Sequence, residues 1–253
     1  MMPRDNMTCL VKKIARQALV TFRNPFAVGE ANKAFLENQT KLKTLMTEVR
    51  AEDLKLVARK VDSSPISPPH SPPVTYMHIC ETDTFSMGVF LLKSGASIPL
   101  HDHPGMHGML KVMYGKVRIT CFDRVDKLPT ATSSSDTPFS PPFQKGALRL
   151  SVLRSTGEYT EESEPCMLSP DRDNLHQIDA VDGPTAFLDI LAPPYDPDDE
   201  RDCHYYKVLD PVVDTEAKKT ESQNQKEVWV MEISQPADFW CGGEPYPGPE
   251  VSI

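Results

Sequence analysis

The chain has 253 residues, a formal net charge of −9 and a sequence pI near 5.3. This acidic balance argues against a nucleic-acid-binding surface, which needs a basic face or stripe. The longest apolar runs, such as 88–92 and 186–191, are far shorter than the roughly 20 residues that span a bilayer. We therefore expect a soluble protein with no nucleic-acid or membrane partner, built as one domain with appendages. We also expect a monomer, although neither charge nor composition determines the oligomeric state.

The cysteines and the N-terminus bear on the compartment. The six cysteines are widely scattered, with no C-x-x-C pair and no dense framework. In a sequence with no secretory signal pattern, this usage predicts free thiols in the cytoplasm. The alternative is a mitochondrial presequence, because basic residues recur along the first amphipathic segment. Asp5 and the low serine content count against that alternative.

The sequence pattern of the N-terminal quarter predicts helices. Apolar residues at steps of three and four predict an amphipathic helix over 10–22, a second over 30–49 and a short third after Ala51. We interpret 1–61 as helices that pack on the outside of a core.

The composition then changes to that of a β domain. Residues 62–73 hold five prolines and four serines, which predicts a linker. Short β-rich runs follow at 74–80, 84–92, 108–122 with a break near Gly115, 147–154, 165–169, 176–181, 185–191, 204–209 and 228–233. Such spacing indicates a sandwich or barrel over 74–253. Two polar stretches, at about 124–146 and 214–227, predict surface loops.

His101 and His103 are the strongest candidates for chemistry. On an extended segment, side chains at i and i+2 point to the same side, so one cation can bind both imidazoles. Asp102, between them, faces the other way. Pro99 and Pro104 bracket the pair and fit a strand edge or mouth, where a metal can keep an open position. A polar turn without a metal is the competing interpretation.

A third ligand is expected from a later strand. His176 is the best candidate, because it follows the turn-forming residues 169–174 and opens a predicted strand. A surface histidine after a turn is its alternative interpretation. The other histidines suit a solvated loop, a packed strand face or a position behind the site: His70, His78, His107 and His204.

These motifs together carry a family resemblance. The pattern consists of Gly95-x5-His101-x-His103, then Gly115, then His176 on a later strand. It resembles the two motifs of the cupin superfamily. The stretches CETDTFSMGVFLLKSG and LAPPYD further resemble the cysteamine dioxygenase and plant cysteine oxidase family, over essentially the whole chain. The resemblance implies an all-β fold with a helical N-terminal extension, a cupin double-stranded β-helix (jelly-roll) barrel.

The resemblance also implies an activity. One Fe(II) per chain would be held by His101, His103 and His176, with no glutamate where many cupins place one. Three neutral imidazoles leave the charge of the ferrous ion uncompensated, so a substrate thiolate can supply the anion. The implied reaction uses O2 to convert cysteamine to hypotaurine, and the N-terminal cysteine of proteins or peptides to cysteine sulfinic acid. The latter would be an oxygen-sensing step of an N-degron pathway.

Two residues near the end of the 185–191 run are candidates for substrate binding. Asp189 alternates in phase with Phe187 and Leu191, so its carboxylate sits among apolar neighbours and needs a partner. That partner is either a substrate ammonium or a polar group of the protein. Tyr195, after two prolines at the strand end, either reaches the metal with its hydroxyl or packs on the barrel.

Cys203 and Tyr205 are candidates for a catalytic pair. At i and i+2 of an extended segment they share one face. Related thiol dioxygenases carry a Cys–Tyr thioether beside iron, so the resemblance implies such a link here. Simple packing of the two side chains is the alternative.

Two other functional classes use the same barrel. A zinc or manganese isomerase of the cupin type would use the same three histidines, and a non-catalytic binding cupin would keep the barrel as an interaction surface. A 2-oxoglutarate oxygenase is disfavoured, since the chain has no His-x-Asp or His-x-Glu. A serine hydrolase is disfavoured too, since no G-x-S-x-G elbow is present.

Overall fold

The computed structural model describes residues 9–25, 29–59, 71–125, 148–209 and 227–253. The predicted linker at 62–73 and the predicted loops at about 124–146 and 214–227 lie largely outside the described residues, as does His70.

The N-terminal helices form where the apolar spacing predicts them. They are α1 (Leu10–Phe22), α2 (Glu30–Glu48) and a single 3₁₀ turn (Ala51–Leu54). Ile14 of α1 and Met46 of α2 are fully buried in one apolar cluster with Met77 and Met109 of the sheet. Amphipathic helices of this length gain most of their stability from such packing. The helices therefore cover one outer face of the β domain.

Ten strands lie in the described part of the chain. They are β1 (Val74–Glu81), β2 (Ser86–Leu92), β3 (Ser97–His101), β4 (His107–Arg124), β5 (Leu148–Thr160), β6 (Cys166–Leu168), β7 (Leu175–Ala192), β8 (Tyr205–Leu209), β9 (Glu227–Ile233) and β10 (Cys241–Gly243). Six of them close into an antiparallel ring in the order β7-β3-β8-β9-β5-β4, because β4 also pairs with β7. The double-stranded β-helix barrel implied by the resemblance is confirmed. In the described ranges, no helix is long and apolar enough to cross a membrane.

The two longest strands bend together, where the sequence suggested breaks. Residues 176–181 and 185–191 are parts of one strand, β7, and β4 continues through Gly115. Gly115 has φ +75°, and a Cβ there would lie 2.5 Å from the Pro184 carbonyl oxygen. Only glycine combines that backbone angle with so close an approach. The apparent breaks are therefore bends, and β4 and β7 stay paired on both sides of them.

The barrel interior and the strand register place the site. Ile98, Val112, Ile119 and Phe187 belong to the buried interior cluster. Beyond this apolar layer, β3 ends with His101 opposite His176 at the start of β7. The sequence missed β3 and β10 as strands, because β3 is short and contains a proline, and β10 is three residues with two glycines. Both elements border the region described next.

Candidate metal centre

Three buried histidines converge at one end of the barrel. Their ligand atoms lie within 4.8 Å of one another. The ring of His101 is 4.7 Å from that of His103 and 4.8 Å from that of His176, and the last two rings are 4.6 Å apart. The three histidines singled out from the sequence are thus brought together, as a set that could hold one metal ion.

Backbone carbonyls orient two of the imidazoles. His101 Nδ1 lies 2.8 Å from the Pro99 carbonyl oxygen, and His103 Nδ1 lies 2.8 Å from that of Asn174. A carbonyl oxygen only accepts, so each Nδ1 must donate, which leaves the lone pair on Nε2. Such hydrogen bonds fix the tautomer and the ring plane of metal-binding histidines.

The electrostatics of the three imidazoles favour the neutral form. Burial lowers the pKa of His101 and lowers that of His176 well below its usual value. Burial, with the neighbouring His101, lowers the pKa of His103 to about 3. Only a neutral imidazole can give its lone pair to a metal. The site is therefore prepared for a cation at neutral pH.

The remaining described histidines lie outside the centre. His107 is packed among the helices, with its ring 6.1 Å from that of Phe22 and 5.2 Å from that of Phe35. His78 is exposed on β1, and His204 contacts Asp102 at 3.1 Å. The Asp102 carboxylate is not part of the three-histidine group and accepts hydrogen bonds from Arg124 and Tyr206 instead, as expected for the residue between two histidines on one face.

Asp189 lies between two cavities. One, of about 480 Å³, is lined by Asp189 and Tyr195 with Tyr76 and Phe90. The other, of about 30 Å³, is lined by Asp189 and His176. Burial raises the pKa of the Asp189 carboxyl to about 7, although a hydrogen bond from the Ile190 backbone N–H lowers it in part. Among the described residues, no lysine, arginine or histidine pairs with it, so within that part of the protein its charge has no cationic partner.

Tyr195, Cys203 and Tyr205 lie beside the histidines. The Tyr195 ring is 5.8 Å from that of His103, but its hydroxyl donates to the Asp102 carbonyl oxygen at 2.8 Å. The Tyr205 ring is 6.5 Å from that of His101. Burial raises the pKa of the Cys203 thiol to about 11, and the hydroxyls of Tyr195 and Tyr205 are its electrostatic neighbours. Cys203 and Tyr205 therefore interact electrostatically, as two residues that share one face would, and their catalytic role stays a prediction.

Two residues of this region, Asn174 and Tyr76, were not predicted from the sequence. Asn174 accepts from the His103 backbone N–H at 3.0 Å and donates to the His103 carbonyl at 2.7 Å. Tyr76 lines the larger cavity, with its ring so close over Gly88 that a Cβ there would lie 2.2 Å away. A glycine inside a strand pattern is a signal for such an approach, whereas nothing in the sequence marked Asn174.

Comparison with known proteins identifies the family. A family model described as PCO_ADO matches residues 45–251. The chain belongs to this family. Proteins similar to this chain include the 2-aminoethanethiol dioxygenases of Homo sapiens and Mus musculus, each 57% identical over 99% of this chain and 99% of their own length. Plant cysteine oxidase 1 of Arabidopsis thaliana is 28% identical over 98% of this chain and 82% of its own. Every residue of the centre lies inside the range matched by the PCO_ADO model.

Proposed function

We propose that this PCO_ADO chain is a thiol dioxygenase whose substrates are cysteamine and the N-terminal cysteine of peptides or proteins. The observation that carries the proposal is the convergence of His101, His103 and His176. Asp189 lines both the small cavity that reaches His176 and the cavity of about 480 Å³, and no basic side chain of the described residues pairs with it. The reaction is RSH + O2 → RSO2H, in which both oxygen atoms pass to sulfur. Sulfur loses four electrons and O2 gains four.

The donor set fits one ferrous ion per chain. Neutral imidazole is a ligand type that suits iron, and two of the three rings present Nε2 because their Nδ1 atoms donate to carbonyls. No carboxylate belongs to the three-histidine group of the described residues. When bound, iron supplies the redox chemistry that couples O2 to a thiolate. The chain's own task is to hold the three rings and to place the thiol.

Asp189 and Tyr195 would place the substrate. Cysteamine and an N-terminal cysteine share an amine two carbons from sulfur, which is an ammonium group at neutral pH. Asp189 has no basic partner in the described region and faces the cavity, so an ammonium would satisfy its buried charge. Tyr195 would form a wall of the cavity beside His103, with its hydroxyl held by Asp102. The cavity of about 480 Å³ has room for more than cysteamine.

Cys203 and Tyr205 would act as a catalytic pair. The mutual electrostatic effect of the thiol and the phenol supports a short separation, across which a thioether between Sγ and a ring carbon would form. That step breaks the S–H bond and one ring C–H bond, and O2 takes up the two electrons and two protons. The link would hold the Tyr205 ring rigidly near His101.

The setting of this reaction follows from the same proposal. We place the protein in the cytoplasm as a monomer, where scattered reduced thiols are expected. Oxidation of N-terminal cysteines there would make protein stability respond to O2, as a step of an N-degron pathway.

The test is anaerobic loading with Fe(II), followed by exposure to labelled O2 with cysteamine or with an N-terminal-cysteine peptide. Product mass should increase by two labelled oxygen atoms. His101→Ala should abolish that gain, whereas His78→Ala, a change at an exposed histidine on β1, should leave it intact. Full iron binding without labelled product would refute the dioxygenase. Turnover in the absence of O2 would favour an isomerase-type cupin.

A further inference from the structure

The Asp102 carboxylate is buried and fully engaged, although it does not face the three histidines. Its side chain is 1% exposed. Oδ2 accepts hydrogen bonds from Arg124 Nη2 at 2.9 Å and from the Tyr206 hydroxyl at 2.8 Å. Oδ1 accepts from the His204 backbone N–H at 3.0 Å and lies 3.1 Å from His204 Nδ1. One carboxylate thus joins the end of β4 to the start of β8.

The backbone of Asp102 is held as well. Its N–H donates to the His204 carbonyl at 3.1 Å, and its carbonyl accepts from the Tyr195 hydroxyl at 2.8 Å. His101 and His103 are its direct neighbours in the chain. Every polar group of the residue between the two histidines therefore has a partner on another segment.

The partner segment carries the Cys203 and Tyr205 pair. His204 lies between these two residues, so the contacts of Asp102 with its backbone fix the segment on which both side chains stand. Tyr205 is also the register partner of His101. The same carboxylate is thus tied to both halves of the centre.

We propose that Asp102 is a positioning residue that holds the His101–His103 segment and the Cys203–Tyr205 segment in one arrangement. The part of this inference that concerns the His101–His103 segment rests on the proposed metal centre. The part that concerns the Cys203–Tyr205 segment rests on the hydrogen bonds alone. Hydrogen bonds to a charged group are roughly twice as strong as neutral ones. An asparagine at 102 has the same shape, but it lacks the charge and turns an NH2 group toward donors.

The first measurement is the affinity of the metal-free protein for Co(II) by calorimetry. Loss of groups that orient metal ligands reduces affinity by about 10-fold to 100-fold, and we expect at least the lower figure for Asp102→Asn. Tyr206→Phe removes one donor, keeps the charge and should weaken binding about threefold. Asp179→Asn is the matched control, because Asp179 accepts from Ser97 and Gln177 near the other end of β3.

The second measurement is the alkylation rate of individual cysteines in the native, metal-free protein, read by peptide mass. Asp102→Asn should speed alkylation of Cys203 about fivefold through local opening. Cys80, buried under the helices, reports global opening, and exposed Cys241 reports reagent reactivity. Both should keep the rates of the wild type.

The outcomes separate this inference from the proposed function. Weaker Co(II) binding and faster Cys203 alkylation in Asp102→Asn, with Asp179→Asn unchanged, support it. Equal acceleration of Cys203 and Cys80 shows a general loss of stability and overturns it, as do unchanged rates and affinity. Failure of the wild type to bind Co(II) overturns the proposed metal centre. The alkylation rate of Cys203 then tests by itself whether Asp102 holds the Cys203–Tyr205 segment. If Asp102→Asn does not fold, Tyr206→Phe is measured in its place. A Co(II) affinity and a Cys203 alkylation rate equal to those of the wild type then overturn the inference.

Discussion

Replacing Asp189 by asparagine should stabilise the metal-free protein while removing its activity. Asp189 lies in β7 among buried apolar residues, and its pKa is raised to about 7 by burial. The folded state therefore resists ionisation of this carboxyl, and no basic side chain of the described ranges offsets the cost. Asparagine has the same shape without the charge.

The sign and size of the stability difference between wild type and Asp189→Asn follow from proton linkage. The unfolded carboxyl has a pKa of about 3.9, so between about pH 4 and 7 the folded state keeps a proton that the unfolded state has lost. Wild-type stability falls as pH rises through that window. A difference of about three units corresponds to at most about 4 kcal/mol. The carboxyl borders a cavity that water can enter, so we expect about half of this.

The assay is urea unfolding of wild type and Asp189→Asn at pH 5 and pH 8, with a chelator present. The variant should be more stable by about 2 kcal/mol at pH 8 and by less than about 1 kcal/mol at pH 5. The buried histidines also titrate, but they are common to both proteins and cancel in the difference. A difference that does not change with pH, or a variant less stable at pH 8, would refute the reasoning.

The same variant tests the role of Asp189 in binding. Wild type should oxidise cysteamine much faster than 2-mercaptoethanol, which has a hydroxyl in place of the amine. Asp189→Asn should lose most of its cysteamine activity at pH 8 and with it the preference for the amine. A preserved preference would mean that another group binds the ammonium.

Three further predictions follow from the geometry. Gly115→Ala should lower the free energy of unfolding by about 3 kcal/mol, since strain and the clash with Pro184 add up. Gly95→Ala, with φ +72° and open space around it, should cost only about 1 kcal/mol; equal losses in urea unfolding would contradict this. Asn174→Ala should weaken Co(II) binding about tenfold through the loss of its contacts with His103, and calorimetry with unchanged affinity would exclude that role. After turnover, the peptide that contains Cys203 should be lighter by two hydrogens, and Tyr205→Phe should keep the unmodified mass.

Much of the fold could be read from local patterns. Helical spacing identified α1 and α2, and alternation with turn residues identified most strands, because side-chain direction repeats with the period of each element. The errors fall where that signal is weak. β3 contains a proline and β10 is very short, so neither shows alternation. The bend at Gly115 looked like a strand end in the sequence, because a glycine with positive φ occurs both at bends within strands and at the turns that end them.

The sequence by itself determined which residues share a face. His101 and His103 lie on one side of an extended segment and Asp102 on the other, and Cys203 and Tyr205 share a face for the same reason. Their chemistry also follows from residue type alone. The resemblance added the metal and the substrate class, which no spacing in the chain specifies.

Only the tertiary structure decided which distant segments meet. The register of β3 against β7 sets His176 opposite His101, and a shift of one residue would turn one of them to the other face. The closed barrel also gives Asp102 its partners Arg124 on β4 and Tyr206 on β8. It leaves Asp189 at the cavity with no cationic side chain from the described residues. These contacts depend on how long strands pair across the barrel, which is a property of the whole sheet and not of any local stretch.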